Sequence, residues 1–391
     1  MVKQKPLIRK LGAVLRGVLC WPIVGILAVC GIRFAFVSNP GRIGHLAAEV
    51  DCFLKERALG LVPDEHPILL LDRRRAGNIA LLDIYKRHLT VLDRRWQRHL
   101  LAEITKIQTA RLSLGRPVVG FSEAARYSQV LALWGDRPPV VTLPDDIEQR
   151  GRTRLQELGV PADAWFVCVH AREGGYSPID ENAHAHRNAQ ISTYGPAMTS
   201  ITDRGGWVVR VGDPTMTPLE PMDQVVDYAL SPLKADWMDL WLTAHNRFFV
   251  GTSSGLAMLA NVFGTPCALV NMIPLGASYG MAPSDISIPK RLLDEHGRVL
   301  SLSEVFKRGL SVQRYAHMFA ENNVVIVDNS PQEVKALVDE MLERVTGAFK
   351  LTDDDEVLQW RYRKHLTPLD YSYGSMARIG RDWLRENREL L

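Results

Sequence analysis

Short apolar runs alternate along this chain with longer stretches in which apolar residues recur every three or four positions. Ile32–Ser38 is the first clear run; the Gly/Pro turn NPGRIGH follows, then the helical pattern LAAEVDCFLKERAL. HPILLLD and RRRAGNIALLDIYKRHL repeat that order, and TVLD and PVVGF continue it. Apolar runs separated by amphipathic helices predict βαβ units and a mainly parallel sheet. RPPVVTLPDD then reads as a boundary, followed by a helix, IEQRGRTRLQELGV. The alternation restarts at Trp165 with WFVCVHA. It runs through a helix near Tyr194–Arg204, the strands WVVRVGD and VVDYA, and a helix at Asp236–Ala244. RFFVGT, the helix SSGLAMLANVFG and PCALVN come next. NVVIVDNS and the helix SPQEVKALVDEMLERV close the set, with Ser330 or Asn329 as N-cap and Pro331 at the first helical position. The remaining residues read as helical and are expected to pack back across the first half. There is no tandem repeat.

The first 48 residues carry an uneven charge. They contain Lys3, Lys5, Arg9, Lys10, Arg16, Arg33 and Arg42 and no acid, and the uncharged run GVLCWPIVGILAVCGI lies between Arg16 and Arg33. As a helix those sixteen residues rise about 24 Å, less than the roughly 30 Å of a hydrocarbon core. Pro22 and Gly25 interrupt the run. The expectation is a membrane-associated helix on the cytoplasmic face of the inner membrane, its basic flank on anionic headgroups. A single transmembrane span, a signal peptide and a plain core segment are the alternatives.

Composition narrows the class. With 391 residues, 46% hydrophobic and 23% charged, the chain is long enough for two or three domains and is not a disordered protein. A net charge of +3 lacks the electrostatics of a nucleic-acid binder, so no nucleic-acid partner is expected. Cys20, Cys30, Cys52, Cys168 and Cys267 are odd in number and form no CxxC pair, which fits neither a disulfide framework nor a structural zinc site.

Candidate chemistry gathers at the carboxyl ends of strands, where open α/β sheets bind ligands. HAREGGY places His170 and Arg172 on one side of a strand end, and an arginine fork suits a phosphate or carboxylate; Gly174 and Gly175 would let backbone approach a ligand. GTSSG (Gly251, Thr252, Ser253, Ser254, Gly255) opens an apolar helix and suits an anion, although it is neither a P-loop nor an in-frame GxSxG. In HRNAQISTY, Arg187 and Asn188 can contact donor groups. Asp213 of GDPTM can accept from a hydroxyl, or simply shape a turn. In the first half GRIGH brings Arg42, Gly44 and His45 to a strand-to-helix turn without a GxGxxG fingerprint. His184 and His186 with Glu181 hint at a metal, but no HExxH spacing supports one, and the metal expectation is none. The run Arg73–Arg75 reads as a solvated or membrane-facing patch.

HAREGGY, HRNAQISTY, GGWVVRVGDP and SPLKADWMDLWLTAHNRFFVGTSSG together resemble a bacterial family of predicted glycosyltransferases, over about Arg42 to Arg308. More distantly the order is similar to the fucosyltransferase-type branch of the GT-B superfamily, in which the matching arginine binds the donor's pyrophosphate. That resemblance implies donor-binding roles for Arg172, Ser253 and Ser254, with Asp236 ahead of its helix. The chain departs from the fucosyltransferase pattern at Glu173-Gly174-Gly175, so GDP-fucose is not carried over as donor. The implied architecture is α/β and GT-B-like: two Rossmann-like domains with parallel sheets facing a cleft. The expected division is an anchoring segment at 1–36, an acceptor domain at 37–145, a nucleotide-sugar donor domain at 146–346 and a C-terminal helical segment at 347–391. The implied activity is metal-independent transfer of a sugar from a nucleotide-sugar donor to a glycan or lipid-linked acceptor, in surface polysaccharide biosynthesis and without a cofactor. Glu173, Asp213 and His45, in that order, are the candidate bases. A nucleotide-sugar epimerase on the same fold and a non-catalytic binding component of an assembly complex are the other readings.

Overall fold

A computed structural model of the chain describes residues 18–62, 66–107, 124–277 and 282–391. The chain divides into two compact units, Met1–Ser122 and Glu123–Leu391. The basic residues Lys3 to Arg16 and the expected strand PVVGF lie outside the described residues.

In the first unit residues 18–29 are helical (α1). Val24 is buried, while Val18, Leu19, Trp21, Ile23, Ile26 and Val29 are exposed. No helix among the described residues is long and apolar enough to cross a membrane. The strand β1 (Ile32–Ala35) follows at once and buries Phe34 and Ala35, so the expected 1–36 segment ends inside a sheet. Then come α2 (Ile43–Ala58), β2 (His66–Leu70), the 3₁₀ turn Arg73–Arg75, α3 (Ile79–Tyr85), β3 (Thr90–Leu92) and α4 (Arg95–Ile107). The three strands pair in parallel in the order β1-β2-β3. A parallel strand needs a crossover, and α2 and α3 provide the two. α2 is buried nearly all round: Leu46, Val50 and Phe53 meet the core, and Asp51 and Lys55 pair within the helix.

The second unit contains α5 (Ala124–Trp134), α6 (Asp145–Glu157), β4 (Phe166–Val169), α7 (Pro178–His184), α8 (Gly195–Thr202), β5 (Trp207–Arg210), β6 (Val225–Val226) and α9 (Asp236–His245). It continues with β7 (Phe249–Gly251), α10 (Gly255–Val262), β8 (Cys267–Met272), β9 (Ile286–Pro289), β10 (Arg291–Leu293), α11 (Leu302–Lys307), α12 (Ala316–Glu321) and β11 (Val325–Val327). α13 (Pro331–Val345), α14 (Asp353–Arg363), β12 (Arg378–Ile379) and α15 (Arg381–Glu386) complete it. Seven strands form one all-parallel sheet in the order β12-β9-β8-β7-β4-β5-β6. β4 and β8 are buried at every position, as strands covered on both faces are. Ser330 is the N-cap of α13 in a capping box with Glu333. The side chain of Asn329 bonds the Asn271 backbone instead. NVVIVDNS is not in the main sheet: β11 pairs antiparallel with β10.

The two units divide at 122/123, so α5 and residues 347–391 lie together in the second unit. Specific contacts tie them there. Ser128 Oγ on α5 donates to the Tyr371 carbonyl at 3.3 Å, and Gly374 leaves room for Gln129. Tyr362 Oη reaches the Leu275 carbonyl at 3.2 Å, Arg385 grips Asp355 with two hydrogen bonds, and β12 extends the sheet beside β9. Ile379, Trp383 and Leu384 are buried in the same core as Val167 and Val250.

Candidate functional site

From β4 the chain first adds β5 and β6 on one side of the sheet, then β7, β8 and β9 on the other. The strand order therefore reverses between β4 and β7, and an open parallel sheet has its ligand crevice beyond the carboxyl ends at such a switch point. HAREGGY leaves β4 there and GTSSG leaves β7.

The two motifs interlock. The Arg172 amide donates to Thr252 Oγ1 at 3.3 Å, and Thr252 is fully buried. The Arg172 guanidinium bonds Asn188 Oδ1 and the His184 carbonyl (3.2 Å), with Glu181 at 3.7 Å. Asn188 Nδ2 donates to Glu181 at 2.6 Å. Arg187 donates from Nε (3.0 Å) and Nη2 to the Ser253 carbonyl, fixing the GTSSG turn. Ser254 is the N-cap of α10 but makes no capping bond, and its Oγ has no partner among the described residues. Lys290 enters from just beyond the end of β9: its Nζ donates to the Asn188 carbonyl at 2.6 Å and pairs with Asp328 at 2.7 Å. His186 is buried against Phe319 (5.4 Å), and neither ring nitrogen has a partner among the described residues. Burial pulls its pKa down to about 3, and Arg187, His184, Lys290 and Arg172 push the same way. Arg172, Arg187 and Lys290 are thus tied through Asn188 and the GTSSG turn into one network beside the start of α10, an arrangement suited to a phosphate or diphosphate.

A second network lies beside it. His170 is buried, with Nδ1 3.1 Å from the Val211 carbonyl, and desolvation lowers its pKa to about 4, so the ring is neutral at pH 7. Glu173 accepts from Arg210 Nη2 at 3.2 Å through one oxygen and from Thr217 N and Oγ1, both at 2.8 Å, through the other. Arg210 is wholly buried and also holds Asp227 at 2.7 Å. Asp213 Oδ1 closes a turn onto the Thr215 amide at 3.0 Å. Gly174 and Gly175 are glycines for an internal reason: a Cβ would sit 2.4 Å from the Glu181 carboxylate and 2.3 Å from Thr215 Oγ1. They admit neighbouring side chains rather than a ligand. Gly251 likewise leaves room for the ring of Phe249. Asp236 begins α9, and Asp239, in the same first turn, pairs with Lys234 at 2.7 Å.

In the first unit Arg42 is the N-cap residue of α2, and Gly44 and His45 lie in its first turn. His45 Nδ1 is 2.8 Å from Glu49 Oε1 and 2.9 Å from Ser38 Oγ. Glu49 is buried, and its other oxygen accepts from the Ser38 amide at 2.7 Å. With the hydrogen on Nδ1 held by a buried carboxylate, Nε2 is left as the acceptor, on a side chain 42% exposed. The spacing of His45 and Glu49, one helical turn, was visible in the sequence; Ser38, Arg210 and Lys290 carried no such local signal. Gly77 supports the turn: its amide donates to the Pro40 carbonyl at 2.7 Å, and a Cβ would lie 2.7 Å from the Ile43 amide nitrogen. No cluster of three or more His, Cys, Asp or Glu side chains able to hold a metal ion occurs among the described residues.

Neither a known protein-family profile nor a curated protein sequence matches the chain. Solved structures that are similar include a glycosyltransferase of family 9 from Veillonella parvula DSM 2008, with a TM-score of 0.45 and 11% identity over 80% of this chain and 97% of that one. The bacterial iron-containing dodecameric glycosyltransferase TibC from enterotoxigenic E. coli H10407 has a TM-score of 0.36 and 12% identity over 82% and 77% of the two chains. The UDP-GlcNAc 2-epimerase of Methanocaldococcus jannaschii has a TM-score of 0.25 and 11% identity over 74% and 78%.

Proposed function

We propose that the chain is a glycosyltransferase that moves a sugar from a nucleotide-sugar donor to a glycan or lipid-linked acceptor in surface polysaccharide biosynthesis. The observation that carries this reading is the switch point between β4 and β7, where the Arg172 amide and the Arg187 side chain hold the turn that opens α10, Lys290 holds the Asn188 carbonyl, and Ser254 Oγ has no partner among the described residues. In this reading the donor's diphosphate sits there. The two arginines, the lysine and the helix amides offset the charge of the departing diphosphate, a role that needs no metal. His45 takes the acceptor proton through Nε2, while Glu49 holds the ring and counters the charge that develops on it. This ranks His45 above Glu173, whose two oxygens are both occupied. The exposed apolar residues of α1 support a peripheral place on the cytoplasmic face of the inner membrane.

Release of nucleoside diphosphate, with and without acceptor, tests the reading. Wild type releases it only when acceptor is present. His45→Gln releases it at least a hundredfold more slowly and keeps the thermal shift produced by the nucleotide. Donor conversion without acceptor identifies an epimerase and overturns the proposal. Nucleotide binding without turnover identifies a binding component and also overturns it.

A further inference from the structure

The first unit holds a cavity of about 590 Å³ whose lining includes Asp72, Arg74, Arg75, Arg95, Arg98 and His99. Four guanidinium groups thus face a single carboxylate, and that carboxylate is already spent: Asp72 caps the 3₁₀ turn by accepting from the Arg74 amide at 3.2 Å and pairs with the Arg74 side chain at 3.3 Å. The turn is anchored through its other arginine. Arg73 grips Asp83 with two 2.6 Å bonds and reaches Asp93 at 3.3 Å, which leaves Arg74 and Arg75 for the cavity. On the other wall Arg95, Arg98 and His99 recur at helical spacing and share one face of α4. Among the described residues no carboxylate forms a close ion pair with Arg75, Arg95 or Arg98, although the Arg98 charge is felt by Asp72.

The same helix carries Trp96 and Leu100, one turn apart and 58% and 72% exposed. A cationic stripe beside exposed Trp and Leu is the pattern of a helix lying at a membrane interface. A site for a soluble phosphate has no use for that apolar pair. We propose that this cavity binds the phosphate of a membrane lipid headgroup, with α4 at the bilayer surface and Trp96 and Leu100 among the acyl chains. The proposal is independent of the transferase reading and of the basic N-terminus.

The test is co-sedimentation of the full chain with phosphatidylcholine vesicles, alone or carrying phosphatidylglycerol. Four proteins are compared: wild type, Arg95→Gln/Arg98→Gln, Trp96→Ser/Leu100→Ser, and the control Arg152→Gln/Arg388→Gln, which removes two exposed cations from the second unit. The N-terminal segment is the same in all four, so its contribution cancels. The α4 arginine pair should cost on the order of thirtyfold in partitioning onto the anionic vesicles, with the control within a factor of three. The apolar pair should weaken binding at least tenfold and leave the thermal shift produced by inorganic pyrophosphate intact. An equal loss in the control would reduce the effect to net charge and overturn the site. Undiminished vesicle binding by the apolar variant, with pyrophosphate stabilisation lost in the arginine variant, would assign the cavity to a soluble phosphate and overturn the lipid reading.

Discussion

Glu173 separates a structural carboxylate from a catalytic one, and Glu173→Gln makes the distinction measurable. The carboxylate accepts from Arg210 at 3.2 Å on one side and from Thr217 N and Oγ1 at 2.8 Å on the other. A glutamine can keep its oxygen toward only one of them. If that oxygen stays with Thr217, the amide NH2 faces the guanidinium, donor against donor, and the ion pair is gone. A hydrogen bond to a charged group is worth about 1.5–3 kcal/mol. Glu173 is 19% exposed, which places the cost near about 2 kcal/mol after screening. For a unit of this size about 2 kcal/mol lowers Tm by roughly 4–8 °C. Arg210→Met should cost more, about 3–5 kcal/mol, because it leaves both Glu173 and Asp227 without their buried partner. The assays are thermal unfolding and acceptor-dependent release of nucleoside diphosphate. Glu173→Gln should melt several degrees lower and keep turnover within about fivefold, since loss of a general base costs about a hundredfold or more. An unchanged Tm with turnover down a thousandfold would refute the structural assignment and restore Glu173 as the base.

The remaining predictions concern both units. Ser254→Ala removes a hydroxyl that has no partner among the described residues. Its stability should hold within about 0.5 kcal/mol of wild type, while nucleotide affinity, read by thermal shift, falls about tenfold or more. His186 has a folded-state pKa of about 3 against roughly 6.5 unfolded, so on acidification the unfolded state gains the proton first. The stability this ring contributes is present above pH 6.5 and lost as the pH falls toward 3, amounting to about 2 kcal/mol by pH 5. His186→Phe should therefore flatten the acid side of the stability profile, and an unchanged slope between pH 7 and 5 would exclude the buried neutral ring. Gly77→Ala forces a methyl against the Ile43 amide and the Gly41 carbonyl. It should destabilise by about 1–3 kcal/mol and lower turnover through the displaced His45, as seen by comparing kcat with nucleotide affinity.

The parallel α/β character was readable because it is local: apolar runs four to six residues long, helical periodicity between them, and caps such as Ser330 with Glu333. The positions of HAREGGY and GTSSG at strand ends were readable for the same reason. His45 and Glu49 sit one turn apart on a single helix, so their pairing needed only helix geometry. What joins distant segments was not readable. Glu173 meets Arg210 because β4 and β5 pair with Val169 opposite Arg210, and that register depends on the packing of the whole sheet. Lys290, just beyond the end of β9, reaches the Asn188 carbonyl from a hundred and two positions away, and β12 turns the C-terminal segment into a sheet edge. Gly174 and Gly175 looked like openings for a ligand, and only the folded neighbours Glu181 and Thr215 show what occupies the space. The elements and the residues at their ends are local properties, because backbone propensity and side-chain periodicity act over a few residues. Which ends meet, which carboxylates are neutralised and where the strand order reverses emerge only on folding, because they follow from burial and pairing between distant segments.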